Sequence, residues 1–219
     1  MSDVMKGAAA VAEAPERPEP EARKRREIID GARRVFFDKG FDGASMDEIA
    51  RASGVSKATI YVYFASKEEL FQALVEVDRR KSAERLFEFD PGDPDVANLL
   101  QRIGESFMTM MVQPDHIRLV RMVMGVAEKF PSIGRTFFET GPCEGGRRLA
   151  DLLARQRDIG NLDVDDCEAA AFQFFGLCQG NLAKSLLFGT RQQPTAEQIA
   201  ATVASGVRVF LAAYGTKRG

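Results

Sequence analysis

The chain has 219 residues, 45% of them hydrophobic and 28% charged, with three cysteines, one histidine and no tryptophan. This composition suits a globular protein of one or two domains and excludes collagen-like and wholly disordered chains. The formal charge of −2 conceals an asymmetry: Arg23 to Lys67 carries ten basic and six acidic residues, so the rest of the chain is acidic. A basic segment on an acidic protein suits an anionic partner at one end of the molecule, although a solvated charged surface would look the same. No apolar run approaches the ~18 residues of a membrane span, and the N-terminus lacks the basic-then-apolar pattern of a secretory signal. Cys143, Cys167 and Cys178 have neither disulfide-framework nor CxxC spacing. No membrane partner is therefore expected, and the expected compartment is a reducing cytoplasm.

Residues 1–20 are rich in Ala, Pro and Glu and predict a flexible tail. Beyond them apolar residues recur at three and four positions without sustained alternation, which predicts an all-α protein. A first helix is expected from about Ala22 to Lys39, with Ile28, Ala32, Val35 and Phe36 inward and Gly40 as its stop. Ser45-Met46-Asp47-Glu48 is a capping box that opens a short helix ending near Ala52. Gly54 turns the chain, and Ser56 caps a third helix from Lys57 to about Tyr63. Ser66-Lys67-Glu68-Glu69 opens a long helix reaching about Phe89. Pro91-Gly92-Asp93-Pro94 breaks the pattern, and helices are expected over about 95–112, 115–129 and 132–157. The last of these should kink or split at Gly141-Pro142. Two long helices, about 164–188 and 195–214, are apolar on more than one side, which points to oligomerisation.

Two short helices joined by a glycine turn inside a basic segment form a helix-turn-helix pattern. Ala50 is small enough for the two helices to approach closely. The third helix also differs from its neighbours at its start. Those opening at Ser45 and Ser66 place Glu at the third position, whereas the one opening at Ser56 has Thr59 there and Lys57 beside it. That leaves the positive end of the helix without an acid of its own, which favours a phosphate or a base edge.

The run Ile28-Ile29-x-x-Ala32-x-x-Val35-Phe36-x-x-x-Gly40-Phe41, followed by Ser45-Met46-x-x-Ile49-Ala50-x-x-Ser53-Gly54-Val55-Ser56-Lys57-Ala58-Thr59-Ile60-Tyr61-Val62-Tyr63-Phe64-x-Ser66-Lys67-Glu68, resembles the DNA-binding region of TetR-family transcriptional regulators. The resemblance implies an all-α homodimer, with a three-helix DNA-binding domain at 21–66 and a ligand-binding and dimerisation domain at 67–219. His116-Ile117-Arg118-Leu119-Val120-Arg121 through Glu128-x-Phe130-Pro131, with Gly176-Leu177-Cys178-Gln179-Gly180-Asn181, is similar to the AcrR/AefR-like branch. Carried over by position, the resemblance implies that Lys57, Ala58, Thr59 and Tyr61 face the major groove of double-stranded DNA. Ser45, Tyr63 and Lys67 would then hold phosphates. Lys57 can donate to guanine acceptors, and the methyl groups of Ala58 and Thr59 can meet thymine methyls. Arg23, Lys24, Arg25 and Arg26 precede the first helix and are either a groove-reaching arm or a solvated charge run.

In the larger domain Phe107, Met111, Met122, Phe137 and Phe174 are candidates for one adaptable apolar cavity, with Asn181 as its polar anchor. Ordinary core is the competing reading, and Gln173 and Asn181 could equally satisfy an interhelical hydrogen bond. Gly176, Gly180, Ala183 and Leu187, with Val203, Val207 and Phe210 of the last helix, are candidates for a dimer interface; packing within one protomer is the alternative. His116 is expected at a helix start as a surface or capping residue, and the cysteines as ordinary thiols. No metal site, cofactor, activated nucleophile or phosphate-binding glycine loop is legible, so an enzyme is not expected. The sequence thus points to a homodimeric repressor that binds a palindromic operator and leaves it on binding an apolar inducer. The AcrR/AefR-like resemblance further suggests control of an efflux operon. The alternatives are a DNA-binding dimer without an inducer, and a helical small-molecule-binding protein that binds no operator.

Overall fold

The computed structural model describes residues 20–86, 89–190 and 192–216. The tail expected at 1–20 therefore lies, but for Pro20, outside the described residues. Eleven helices follow one another: α1 (Pro20–Gly43), α2 (Met46–Ser53), α3 (Lys57–Tyr63), α4 (Lys67–Leu86), α5 (Val96–Met111), α6 (Pro114–Val126), α7 (Pro131–Phe138), α8 (Glu144–Asp158), α9 (Cys167–Gln179), α10 (Leu182–Leu187) and α11 (Ala196–Tyr214). No β-strand occurs among the described residues.

Local chemistry sets most boundaries. Gly40, at φ 74°, interrupts α1 where the sequence predicts its stop. Ser45 Oγ accepts the backbone N–H of Glu48 at 3.3 Å while the Glu48 carboxylate accepts that of Ser45, closing the predicted capping box. Gly54, at φ 67°, ends α2 in the left-handed conformation. Ser56 and Ser66 cap α3 and α4 through the N–H groups of Thr59 and Glu69. At Gly141-Pro142 the expected kink is a π-helical turn, Glu139–Cys143, between α7 and α8.

One expectation fails at helix length. A single helix was expected over about 164–188, but the chain turns at Gly180 (φ 48°, ψ −125°) and divides it into α9 and α10.

Two apolar cores result. The first joins α1–α3 to the front half of α4 through Ile28, Phe36, Ile49, Ile60, Phe64 and Phe71, with Leu119, Val123 and Ile133 from α6 and α7. Phe36, Phe41 and Phe71 form an aromatic cluster with centroids 5.0–5.9 Å apart. The second core packs α5, α8, α9 and α11 around Phe174 and Phe210. The front of α4 belongs to the first core, and its later residue Arg79 reaches a cavity beside the second.

Candidate functional site

At the N-terminal end, Lys57, Ala58, Tyr61 and Val62 share the outer face of α3, while Ile60 is fully buried beneath them. Tyr61 is 47% exposed and Val62 81%. Val62 is the residue of this face that the sequence reading did not select, because β-branched apolar residues look like core in one dimension.

The bare helix start is not bare of acids in space. Asp47, from the first turn of α2, accepts a hydrogen bond from Lys57 Nζ at 2.9 Å and raises the lysine pKa. Tyr63 is half-buried against the first core. Lys67 Nζ donates to the carbonyls of Phe41 (2.8 Å) and Ala44 (3.1 Å) and lies over the Phe41 ring, so one of its three donors remains for a phosphate. Ser45 is exposed but already engaged in its capping box.

Beside the second core an apolar cavity of about 290 Å³ is lined by parts of seven segments. Phe107, Met110 and Met111 come from α5, His116 and Val120 from α6, and Phe137 from α7. Gly141, Pro142 and Gly145 form the floor, Phe172, Phe175, Gly176 and Gln179 project from α9, and Arg79 enters from α4. Three of the six predicted ligand residues, Phe107, Met111 and Phe137, line it.

The other three do not. Phe174 lies on the opposite side of α9 from the stripe 172, 175, 176 and 179, fully buried against Phe175 and Phe210. Met122 is two residues past Val120, so a 3.6-residue turn carries it round to the first core. Asn181 is exposed beyond the Gly180 turn, so the helical register assumed from Phe174 does not reach it. The amide at the cavity is Gln179 instead. Gln173, the other candidate amide, is exposed and accepts a hydrogen bond from the Tyr214 hydroxyl at 2.5 Å.

Besides Gln179, the polar side chains of the cavity are Arg79 and His116, neither selected from sequence as a ligand contact. Both also line an adjoining crevice of about 780 Å³ that runs between α1, α4, α5 and α6, so with Met110 they form the wall between the two spaces. Arg79 donates to Asp78 at 2.6 Å and stacks over the Phe137 ring. Asp78 also receives Arg33 of α1; these two hydrogen bonds outweigh its burial and hold its carboxyl below the usual range. His116 is 5% exposed, and neither ring nitrogen has a hydrogen-bond partner. The expected surface or capping histidine is therefore a buried one, sharing a wall with Arg79 of α4 and Met110 of α5.

Most of the predicted dimer stripe is turned inward, while Gly176 stays exposed. Val203, Val207 and Phe210 are buried in the second core, where α11 crosses α9 and α5 within one protomer. Gly180 ends a helix, Ala183 is buried, Leu187 is partly buried against the same core, and Gly176 borders the cavity. The close approach of small residues occurs inside the protomer: a Cβ on Gly206 would lie 3.0 Å from the Leu177 carbonyl carbon. The opposite faces are exposed, with Ala169, Phe172, Gln173 and Gly176 on α9 and Ala201, Ser205, Arg208, Val209 and Ala212 on α11. Among the described residues no group of three or more His, Cys, Asp or Glu side chains could hold a metal ion, and no helix is long and apolar enough to cross a membrane. Burial pushes the Cys178 thiol up to about 12, which keeps it protonated at neutral pH.

Residues 28–74 match the family model for bacterial regulatory proteins of the tetR family, and residues 98–216 match that for the AefR-like transcriptional repressor C-terminal domain. The chain is 40% identical over 147 residues to the HTH-type transcriptional repressor Rv1474c of Mycobacterium tuberculosis, spanning 66% of this chain and 72% of that protein. With the repressor AcnR of Corynebacterium efficiens it shares 41% identity over 64 residues, 29% of this chain and 34% of AcnR. Among solved structures, the Flavonoid-responsive Regulator FrrA is 33% identical with a TM-score of 0.76, covering 90% of this chain and 99% of FrrA. A TetR-family regulator from Mesorhizobium loti superposes with a TM-score of 0.82 at 27% identity, covering 90% of this chain and all of that one.

Proposed function

Because the chain belongs to the TetR family of bacterial regulatory proteins, we propose that it is a homodimeric transcriptional repressor released from a palindromic operator by a small apolar or amphipathic molecule. The α3 face of Lys57, Ala58, Thr59 and Tyr61, with Val62 beside it, enters the major groove. Ser45, Tyr63 and Lys67 hold flanking phosphates. Lys57 exchanges Asp47 for a base edge or phosphate on docking, so the free protein keeps its reading lysine positioned. The dimer forms through the exposed faces of α9 and α11, where Phe172 and Val209 leave apolar surface uncovered. Two recognition helices then lie one helical turn of DNA apart, or a multiple of it.

The observation that carries the ligand half is the apolar cavity itself. Its aromatic walls suit a flat ring system, and FrrA is a relative described as flavonoid-responsive. The AefR-like domain is the support for an efflux operon as the target. An inducer-free dimer is disfavoured by the same cavity, since a domain serving only to dimerise would fill it with side chains.

The test is operator selection with purified protein, followed by release with a panel of small aromatic compounds. Sedimentation should give a dimer at micromolar concentration. Lys57→Ala should lower operator affinity roughly ten- to hundredfold while leaving the melting temperature unchanged within error. A monomer, or a Lys57→Ala variant with wild-type affinity, defeats the DNA-binding arrangement; a panel with no releasing compound defeats the inducer.

A further inference from the structure

We propose that the cavity selects an aromatic hydroxyl compound, a phenol of two or three rings, whose hydroxyl is taken by His116 beside Arg79. This rests on the ligand-responsive reading above and names the chemistry of the ligand.

The cavity is apolar apart from the Arg79, His116 and Gln179 side chains. Phe107, Phe137, Phe172 and Phe175 supply ring faces and edges suited to a flat aromatic body, and about 290 Å³ admits only a small one. Among the polar side chains His116 is buried with both ring nitrogens unpartnered, an arrangement that costs free energy unless a partner meets them. Burial, then the charge of Arg79, hold its pKa down to about 4 against the opposing pull of Asp78, so the imidazole is neutral at pH 7. A neutral imidazole presents one donor and one acceptor.

That pair of needs narrows the ligand. A carboxylate or ketone oxygen accepts only, so it can serve the N–H nitrogen but not the bare one. An ammonium donates only, and the Arg79 guanidinium repels it. The two ring nitrogens point apart, so one ligand atom meets one of them. A hydroxyl can accept from the N–H or donate to the bare nitrogen, whichever faces the cavity, and the more acidic O–H of a phenol donates more strongly than that of an alcohol. Arg79 is already held by Asp78 at 2.6 Å, so its part is to bias this end of the cavity rather than to neutralise a full carboxylate.

Calorimetry on the full-length protein decides the matter with three probes on one skeleton: para-phenylphenol, para-fluorobiphenyl and biphenyl para-carboxylate. Wild type should bind the phenol about tenfold or more tighter than the fluoro compound, which has the same rings but no O–H donor. His116→Phe should bring that ratio to about one while still binding the fluoro compound, with a retained helical spectrum showing that the variant folds. Should His116→Phe not fold, the wild-type ratio stands as the test. Equal wild-type affinities, a ratio unchanged in a folded His116→Phe, tighter binding of the carboxylate, or no binding of any probe overturns the proposal. Operator release is read separately: a phenol that binds through His116 but leaves the operator occupied defeats the induction reading alone. A molecule that releases the operator without requiring an O–H defeats the phenol site and leaves induction standing.

Discussion

His116 couples acid to stability. Burial, aided by the Arg79 charge, lowers its pKa from 6.5 to about 4 in the folded protein. The unfolded chain therefore takes up the proton first as pH falls. Stability is undiminished above pH 6.5 and declines between 6.5 and 4, by roughly 3 kcal/mol if the whole shift is expressed. Asp78 is held below its ordinary value of 3.8, so its own contribution is lost only at lower pH, outside this window. Urea denaturation of wild type and His116→Leu at pH 7 and pH 4.5 should show a smaller acid loss in the variant; equal losses would place the responsible proton elsewhere. The sequence does place His116 near the start of a helix, three residues into α6. What it lacks is the neighbour: only the fold brings Arg79, 37 positions earlier in the numbering, to the same cavity.

Elements were most legible where a cap or turn is written into adjacent residues. The box at Ser45 and the caps at Ser56 and Ser66, the stop at Gly40 and the turn at Gly54 are local devices, so α2 and α3 could be read to within a residue or so. The segment 164–188 misled for the converse reason: Gly180 resembles a small interfacial residue until its positive φ is seen. Stripes of small residues have the same ambiguity, since Gly206 of α11 meets the Leu177 and Cys178 backbone of its own α9, not that of a second chain. Because those are main-chain atoms at 3.0–3.2 Å from an added Cβ, they cannot rotate aside. Gly206→Ala should force the helices apart and destabilise the protein by about 1–3 kcal/mol, read as a lower melting temperature. Gly176→Ala makes the contrasting control, for an added Cβ there meets nothing within 4 Å. Equal melting temperatures for both variants would deny the close crossing.

For the whole molecule, the question is how an occupied cavity can be felt some distance away at α3. The structure provides one polar route across the junction: Arg33 on α1 pairs with Asp78, Asp78 pairs with Arg79, and Arg79 lines the cavity. Arg33 also lies 3.6 Å from Asp115, next to His116 at the start of α6. A molecule seated against Arg79 and His116 thus disturbs both carboxylates that hold α1. It can shift the operator equilibrium only by the difference in its affinity for the two conformers, and the operator must alter ligand affinity by the same factor. Arg33→Ala tests the route because Asp78 keeps Arg79 as its partner when the half-buried Arg33 is lost. The expected result is ligand affinity near wild type in the free protein, with the ratio of operator affinities without and with saturating ligand falling toward one. Calorimetry with operator-bound protein should report the same reduced factor from the other side of the cycle. If Arg33→Ala keeps the full wild-type factor, coupling passes instead through the apolar contacts of α4, α6 and α7 in the first core, and the arginine–aspartate chain only fixes the angle between the two parts.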